Sequence, residues 1–445
     1  MKKANICTTV FNDTATTDLS DISFITNESC EANVLNVFPE VEYQKVLGFG
    51  GAFTESAAYC YSKLGSEQKE KVLKYYFSED GLGYNFCRTH INSCDFSLDE
   101  YVYVEDNDTS LKSFSIKRDK KYIIPFIKDA QKYTGKSLML FASPWSAPAW
   151  MKTNNSVIKG GKIKKEYLPV WAEYYCKYIK AFANEGIEIS AITVQNEPIA
   201  IQTWESCQFS AEDEALFVRD YLAPALKDNG LSDIKIIIWD HNKERVYDRA
   251  RDVFSYAGTR ELVWGIGFHW YSGHHFDGVQ IAHKMFPEKV LIETEYCTSF
   301  GYENFGIDGC PLGYAVEMLG NFNNGMSASV DWNMILDTNG GPYHDRDSGC
   351  NAAIIADTDN GDFKLTNIYH NVYHFAHFIK RGAVRIGTSS FDDNILITAF
   401  RNPDGEKVAV ILNTGDDKKK AQLRLGTETA ELNLPPVSVS TVVIK

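Results

Sequence analysis

Eight short runs of apolar and β-branched residues, separated by stretches with helical periodicity, constrain this chain more than any other feature. The runs lie at 46–49, 84–88, 137–142, 188–195, 234–239, 265–270, 290–295 and 328–334. Between them, 66–77, 122–133, 165–183, 211–227, 244–256 and 312–322 place apolar residues three and four apart, the spacing of a helix that buries one face. Strands that alternate with helices form a parallel sheet covered by those helices. Eight such units close into a (β/α)8 barrel, whose chemistry gathers at the C-terminal ends of the strands. The expected catalytic barrel spans 46–377.

Past residue 350 the period changes. Segments 394–400, 408–413 and 437–444 read as β, and Asn402-Pro403-Asp404-Gly405 is a ready turn between the first two. Residues 1–45 show no helical period and contain a strand-like run at 34–38. The expectation is an antiparallel β-sandwich built from 1–45 plus 378–445, in which the two chain ends meet.

With 59 acidic against 45 basic side chains the formal charge is −14, which disfavours a nucleic-acid partner or an anionic membrane surface. No run of about 18 apolar residues occurs, so no membrane insertion is expected. A neutral ligand such as a carbohydrate or glycoside fits better, and 8 Trp, 24 Tyr and 26 Phe supply faces for sugar C–H groups as well as core. The N-terminus lacks an apolar signal-like run, and ten cysteines are scattered without CxxC spacing, which reads as reduced thiols in a cytoplasmic protein. His274, His275 and Asp277 lack a fourth ligand at metal spacing, and Gly48, Gly50 and Gly51 lack the residues of a phosphate loop. Neither metal nor cofactor is expected. Lys418–Lys420 reads as a solvated loop, and the sequence sets no oligomeric state.

The chemistry is written at strand ends. Ala191-Ile-Thr-Val-Gln-Asn-Glu-Pro198 finishes an apolar strand with a carboxylate, which is costly to bury without a partner or a task. The seventh run, Lys289-Val-Leu-Ile-Glu-Thr-Glu-Tyr-Cys297, offers a second carboxylate. Glu293 and Glu295 are two apart and so share a strand face by alternation. Glu295 is nearer the rim, whereas Glu293 would sit a layer deeper and need a buried cation, so Glu295 is preferred. Carboxylates from strands four and seven that converge to roughly 5–5.5 Å suit retaining glycoside hydrolysis, in which the nucleophile's charge raises the pKa of the acid. Asn196 beside the acid suits a hydrogen bond to a sugar 2-hydroxyl.

The strings LGFGGAFTESAA at 47–58, SCDFS at 93–97, ASPWSAPAWMKTN at 142–154, QNEP at 195–198, HWY at 269–271, TEYC at 294–297 and DWN with NGGP within 331–342 together resemble glycoside hydrolase family 30. The resemblance implies that Glu197 is the acid/base and Glu295 the nucleophile. It implies that Asp95 and Trp145 hold glycone hydroxyls, that Arg88 keeps the nucleophile ionised, and that His269 and Tyr271 orient it. Trp332 and Asn333 would form the sugar platform and its polar edge. Glu55 departs from the aspartate frequent in relatives, and Glu293 is an added acid beside the nucleophile motif. Without the motifs, Arg88 would pair with Asp95 or Glu295, the aromatics would be core, and His269 and Asn333 would be structural.

The function this implies is a retaining exo-β-glycosidase acting on β-glucosides, with glucosylceramide as a substrate if an apolar rim surrounds the mouth. A β-xylosidase, β-fucosidase or endo-acting glycanase of the same family stays open. From other classes, a non-catalytic carbohydrate-binding barrel and a metal- or phosphate-dependent barrel enzyme compete. The first is disfavoured by retention of both carboxylates, the second by the weak anion-loop candidates within 294–306.

Overall fold

The computed structural model describes residues 2–11, 15–299 and 311–445; Cys310 and part of the 294–306 segment lie outside them. Eight parallel strands close into a barrel: Gly48–Phe53, Phe86–Ile91, Met139–Pro144, Ile189–Thr193, Lys235–Asn242, Gly265–His269, Val290–Glu295 and Met326–Asn333. Strand eight returns to strand one with Ala328 opposite Gly48. Close approach explains the glycines there: a β-carbon at Gly50 would stand 1.7 Å from the Phe86 carbonyl oxygen. Phe86, Phe141, Ala191, Ile237, Ile292 and Val330 fill the barrel interior as one buried layer, and the polar residues follow above it toward the C-terminal rim.

Helices cover the outside. Ser66–Phe77, Ile123–Thr134, Leu168–Asn184, Val246–Phe254 and Gly313–Asn323 match the periodic stretches within a few residues. The stretch at 211–227 is Ala211–Phe217 and Ala223–Asp228, joined through a π-helical turn at Val218–Leu222. Three further helices, Glu55–Lys63, Phe276–Met285 and Asn367–Ala376, were not among the expected ones. None of the described helices is long and apolar enough to cross a membrane.

Nine strands from the two chain ends form the side domain, and their order closes on itself. Lys2–Phe11 pairs antiparallel with Ser438–Ile444, Ala4 opposite Ile444, so the termini do meet in one module. The turn at Asn402–Gly405 joins Ile395–Arg401 to Lys407–Asn413. Lysines 419 and 420 correct the loop expectation: they begin strand Lys419–Leu425 and pair with Asp392 at 3.0 Å and Glu431 at 3.5 Å. A short apolar alternation at Ala421, Leu423 and Leu425, buried in the side-domain core, outweighs the local charge.

Two barrel helices seat this domain. Phe322 of helix Gly313–Asn323 meets Phe400 edge-on at 5.3 Å. His374 of helix Asn367–Ala376 is buried between Thr441 (Nδ1 to Oγ1, 2.9 Å) and Thr9 (Nε2 to Oγ1, 2.8 Å) of the two terminal strands. Burial, with His370 and His377 nearby, pushes its pKa down to about 3, so it docks as a neutral ring. Its stabilising contribution is therefore complete above pH 6.5, the value of a free histidine, and is lost as the pH falls toward 3, because only the unfolded chain takes up the proton in that window. His374→Gln is expected to lower stability at pH 7 by about 1–3 kcal/mol, through lost hydrogen bonds, and to show a smaller further loss between pH 6.5 and 4 than wild type. Thermal melts across that range check this; equal acid losses in both proteins would contradict it.

Candidate active site

A cavity of about 300 Å³ opens at the C-terminal ends of the barrel strands, and Asp95, Trp145, Asn196, Glu197, Tyr271, Glu295 and Trp332 line it. Seven of the ten sequence-predicted site residues therefore share one space. Arg88 and His269 lie buried directly beneath it, bonded to its lining residues. Asn333 is not brought to the cavity: its Oδ1 accepts from Thr54 Oγ1, and the Thr54 oxygen also caps helix Glu55–Lys63.

Arg88 organises the floor. Its Nη1 bonds Glu295 Oε2 at 2.5 Å, Nη2 bonds Asn196 Oδ1 at 2.8 Å and Asp240 Oδ2 at 2.9 Å, and Nε bonds Ser143 Oγ at 3.1 Å. The guanidinium lies 4.8 Å from the Trp145 ring centroid and 5.4 Å from that of Trp332, and these two indoles stack at 5.1 Å. One cation thus fixes a carboxylate, the asparagine next to Glu197 and the two-ring platform.

Glu197 is aimed by its backbone. Its φ is +47°, its N–H donates to the Asp240 carbonyl at 2.9 Å, and the Asn196 N–H donates to Pro144. Trp239 and Asp240 also have positive φ, at +71° and +55°, where strand five shifts register against strand six. Left-handed backbone at non-glycine residues costs of order 1–3 kcal/mol each and persists only where the surroundings over-determine it.

The side chain of Glu197 lies 3.3 Å from His269 Nδ1 and 3.5 Å from Gln202 Nε2, while His269 Nε2 faces Asp240 Oδ1 at 3.0 Å. This corrects two expectations. His269 does not orient Glu295 by a hydrogen bond; it contacts Glu197. The Glu197 pKa is also not raised. Burial favours its neutral form, but the histidines beside it outweigh burial and bring it down to about 2. Of the two, His241 is itself held below the usual histidine range by burial and is uncharged at neutral pH. The effective cation is His269, which burial would lower but which Glu295, Asp240 and Glu197 raise to about 9. One proton is shared across the Glu197–His269 contact and rests on the histidine.

Glu293 and Glu295 do not share a face. Strand seven shifts register against strand six between them. Ile292 points into the barrel core, and Glu293 points out toward the helices, bonded to Asn321 Nδ2 at 2.8 Å and Ser329 Oγ at 3.0 Å. The buried cation expected there, Lys243, bonds Glu317 and Asn321 instead. Burial and the nearby Glu317 push the Glu293 pKa well above the usual carboxylate range, and the group lies outside the cavity. Glu295 faces the cavity, where Tyr271 Oη donates to its Oε1 at 2.9 Å.

Asp95 comes from the loop after strand two and pairs with Arg346 at 2.5 Å, not with Arg88. Burial raises its pKa to about 6, and Arg346 opposes that rise. Glu55, by contrast, is outside the cavity, paired with Arg118 at 2.5 Å. Sequence reasoning missed Gln202, Trp204, Asp240, His241, Asn242, Cys297 and Arg346. For three of them a signal existed: Trp239-Asp-His-Asn242 repeats the pattern of Gln195-Asn-Glu197, an apolar strand that ends in polar residues at the barrel mouth. Among the described residues no three His, Cys, Asp or Glu side chains group as metal ligands. His274 and His275 face different partners, Glu317 and the Ser272 carbonyl.

Comparison with known proteins agrees with this architecture. The glycosyl hydrolase family 30 TIM-barrel domain matches residues 46–379, and the family 30 beta sandwich domain matches 382–442. The chain is 31% identical to the lysosomal acid glucosylceramidase of Mus musculus over 402 residues, 86% of this chain and 78% of that one. It is 28% identical to an endo-1,6-beta-D-glucanase of Trichoderma harzianum over 429 residues, 90% and 84% of the two chains. The crystal structure of SrfJ from Salmonella typhimurium superposes with a TM-score of 0.93 at 32% identity, covering 99% of both chains. A closed eightfold barrel, a side domain made from both termini and two family domains matched in order make this chain a glycoside hydrolase of family 30.

Proposed function

We propose that the protein is a retaining exo-β-glucosidase. The observation that carries this reading is the pair of glutamates, Glu197 after strand four and Glu295 on strand seven, facing one small cavity with an aromatic platform and a buried arginine beneath it that bonds Glu295 and Asn196. Glu295 attacks the anomeric carbon while Glu197 protonates the departing oxygen, which gives a glycosyl ester on Glu295. Glu197 then removes a proton from water, which displaces Glu295 with a second inversion, so configuration is retained. The proton needed in the first step reaches Glu197 from His269 Nδ1 across their contact, and Asp240 stabilises the histidine that holds it. Asn196 is placed for the 2-hydroxyl, and Asp95 for hydroxyls further from the reacting bond.

The cavity volume, at the low end for small-molecule sites, favours one sugar ring over an open cleft. Two loops are tied together along one side of it: Thr203 Oγ1 donates to the Asp345 carbonyl at 2.5 Å, and His344 meets Glu205 at 3.1 Å. Glucose as glycone draws support from the glucosylceramidase relative. Ile199 and Ile201, both exposed on the segment leaving Glu197, give the aglycone side an apolar lip.

A panel of 4-nitrophenyl β-glucoside, β-xyloside, β-fucoside and β-galactoside, with 1,6-linked β-glucan, tests this. Wild type should prefer the glucoside by at least about tenfold and release only glucose from the glucan. Longer products from the glucan would favour the endo reading. Glu295→Gln should lose at least about a thousandfold on every substrate, Glu293→Gln should retain most activity if folded, and Glu197→Ala should lose more on poor leaving groups than on nitrophenyl ones. Loss in Glu293→Gln with activity kept in Glu295→Gln would contradict the assignment.

The shared proton sets an alkaline limb. Because His269 is raised to about 9, kcat/KM should hold through neutral pH and fall as the pH rises through that value and the proton leaves the pair. In His269→Asn that limb should move to lower pH; an unchanged profile would remove the histidine from the proton path.

A further inference from the structure

We propose that Cys297 and Cys350 form a redox-sensitive dithiol in the wall of the active-site cavity, which a peroxide closes into an intramolecular disulfide that reversibly shuts the glycosidase. Both side chains line the cavity, and their sulfurs are 3.1 Å apart. They come from different elements, the exit of strand seven and the loop after strand eight, so the contact is tertiary.

The backbone fixes each partner. The Trp270 indole N–H donates to the Cys297 carbonyl at 3.0 Å, and the Cys350 N–H donates to the Gly340 carbonyl at 3.0 Å. Ser299 and Cys350 form an antiparallel bridge, and the Asn351 N–H donates to the Thr298 carbonyl at 2.9 Å. This bridge and hydrogen bond already hold the two segments side by side, so closure asks the sulfurs to approach by about 1 Å.

The chemistry balances with hydrogen peroxide as the oxidant. Cys297 gives up its proton, its thiolate attacks one peroxide oxygen and becomes a sulfenic acid as the O–O bond breaks, and the departing hydroxide takes up a proton to leave as water. Cys350 sulfur then attacks the sulfenic sulfur, the S–S bond forms, and a second water leaves. Contact with the Cys350 thiol and burial push the Cys297 pKa well above the ordinary thiol range, so the attacking thiolate forms more readily, and closure should accelerate, as the pH rises.

Closure reaches the reaction centre in two contacts. Cys297 Sγ lies 3.4 Å from Tyr271 Oη, and that hydroxyl donates to Glu295 Oε1. Drawing the sulfur toward Cys350 removes it from Tyr271 and reshapes the wall against which Glu295 is set. Cys350 also shares its loop with Arg346, the partner of Asp95.

The experiment treats the full-length enzyme with hydrogen peroxide and follows hydrolysis of 4-nitrophenyl β-glucoside alongside non-reducing peptide mapping. The expected result is a link between the Cys297 and Cys350 peptides with loss of about 2 Da, a fall in kcat/KM of about tenfold or more, and recovery with dithiothreitol. Cys350→Ser and, separately, Cys350→Ala should form no link and keep their own untreated rates. An equal loss in those variants, a link elsewhere, or a link without loss of activity would overturn the proposal. The mapping reads the link whatever glycoside the enzyme prefers, so its outcome is separable from the glucosidase assignment.

Discussion

Everything at the barrel mouth depends on one buried guanidinium. Arg88 leaves strand two, with its side chain fully enclosed, and bonds residues of strands three, five and seven and the asparagine that follows strand four. A buried charge without partners costs several kcal/mol. Here two carboxylates, a carboxamide, a hydroxyl and two indole faces supply them, so the cation pins elements that would otherwise be free to splay. The same bonds set Glu295, Asn196 and the Trp145–Trp332 platform in fixed relation before any sugar arrives. Donors and charges placed in advance, in a site that excludes water, are the largest source of transition-state stabilisation available to a hydrolase.

A second line of contacts runs from Arg88 through Asp240 to His269 and Glu197. It changes how the proposed acid, Glu197, is understood. A like-charged neighbour would raise the pKa of Glu197; the histidine does the reverse, so the pair stores its proton on the ring and leaves the carboxylate free to accept. That arrangement suits a group that must donate in one half of a reaction and accept in the other. The cost appears in the backbone, where Glu197, Trp239 and Asp240 all sit at positive φ. The Glu197 N–H bonded to the Asp240 carbonyl ties these strained stretches together.

Much of this was legible in the residues. The barrel strands follow from apolar runs, and the carboxylates from strand ends that break the apolar pattern. What escaped has physical causes. Helix Glu55–Lys63 is led by a capping threonine but is buried on most of its faces, so its period is blurred. In helix Asn367–Ala376 three aromatic rings and two histidines mask an ordinary amphipathic spacing. Strand five runs to Asn242, three residues past its apolar stretch, because register shifts after Trp239 turn polar side chains inward. A similar shift separates Glu293 from Glu295, and alternation cannot foresee a bulge. The Asp95–Arg346 and Cys297–Cys350 pairs join elements far apart in the chain, where no spacing rule operates.

The central claim is that Glu295, poised by Arg88 and Tyr271, forms a covalent bond to the sugar. The most direct measurement is to incubate the enzyme with an activated 2-deoxy-2-fluoro-β-glucoside, which slows breakdown of the glycosyl ester, and to map the labelled peptide by mass spectrometry. The account predicts one sugar per chain, attached at Glu295, with hydrolytic activity lost in proportion. Label on Glu293 or another residue, or inactivation without any covalent adduct, would contradict it.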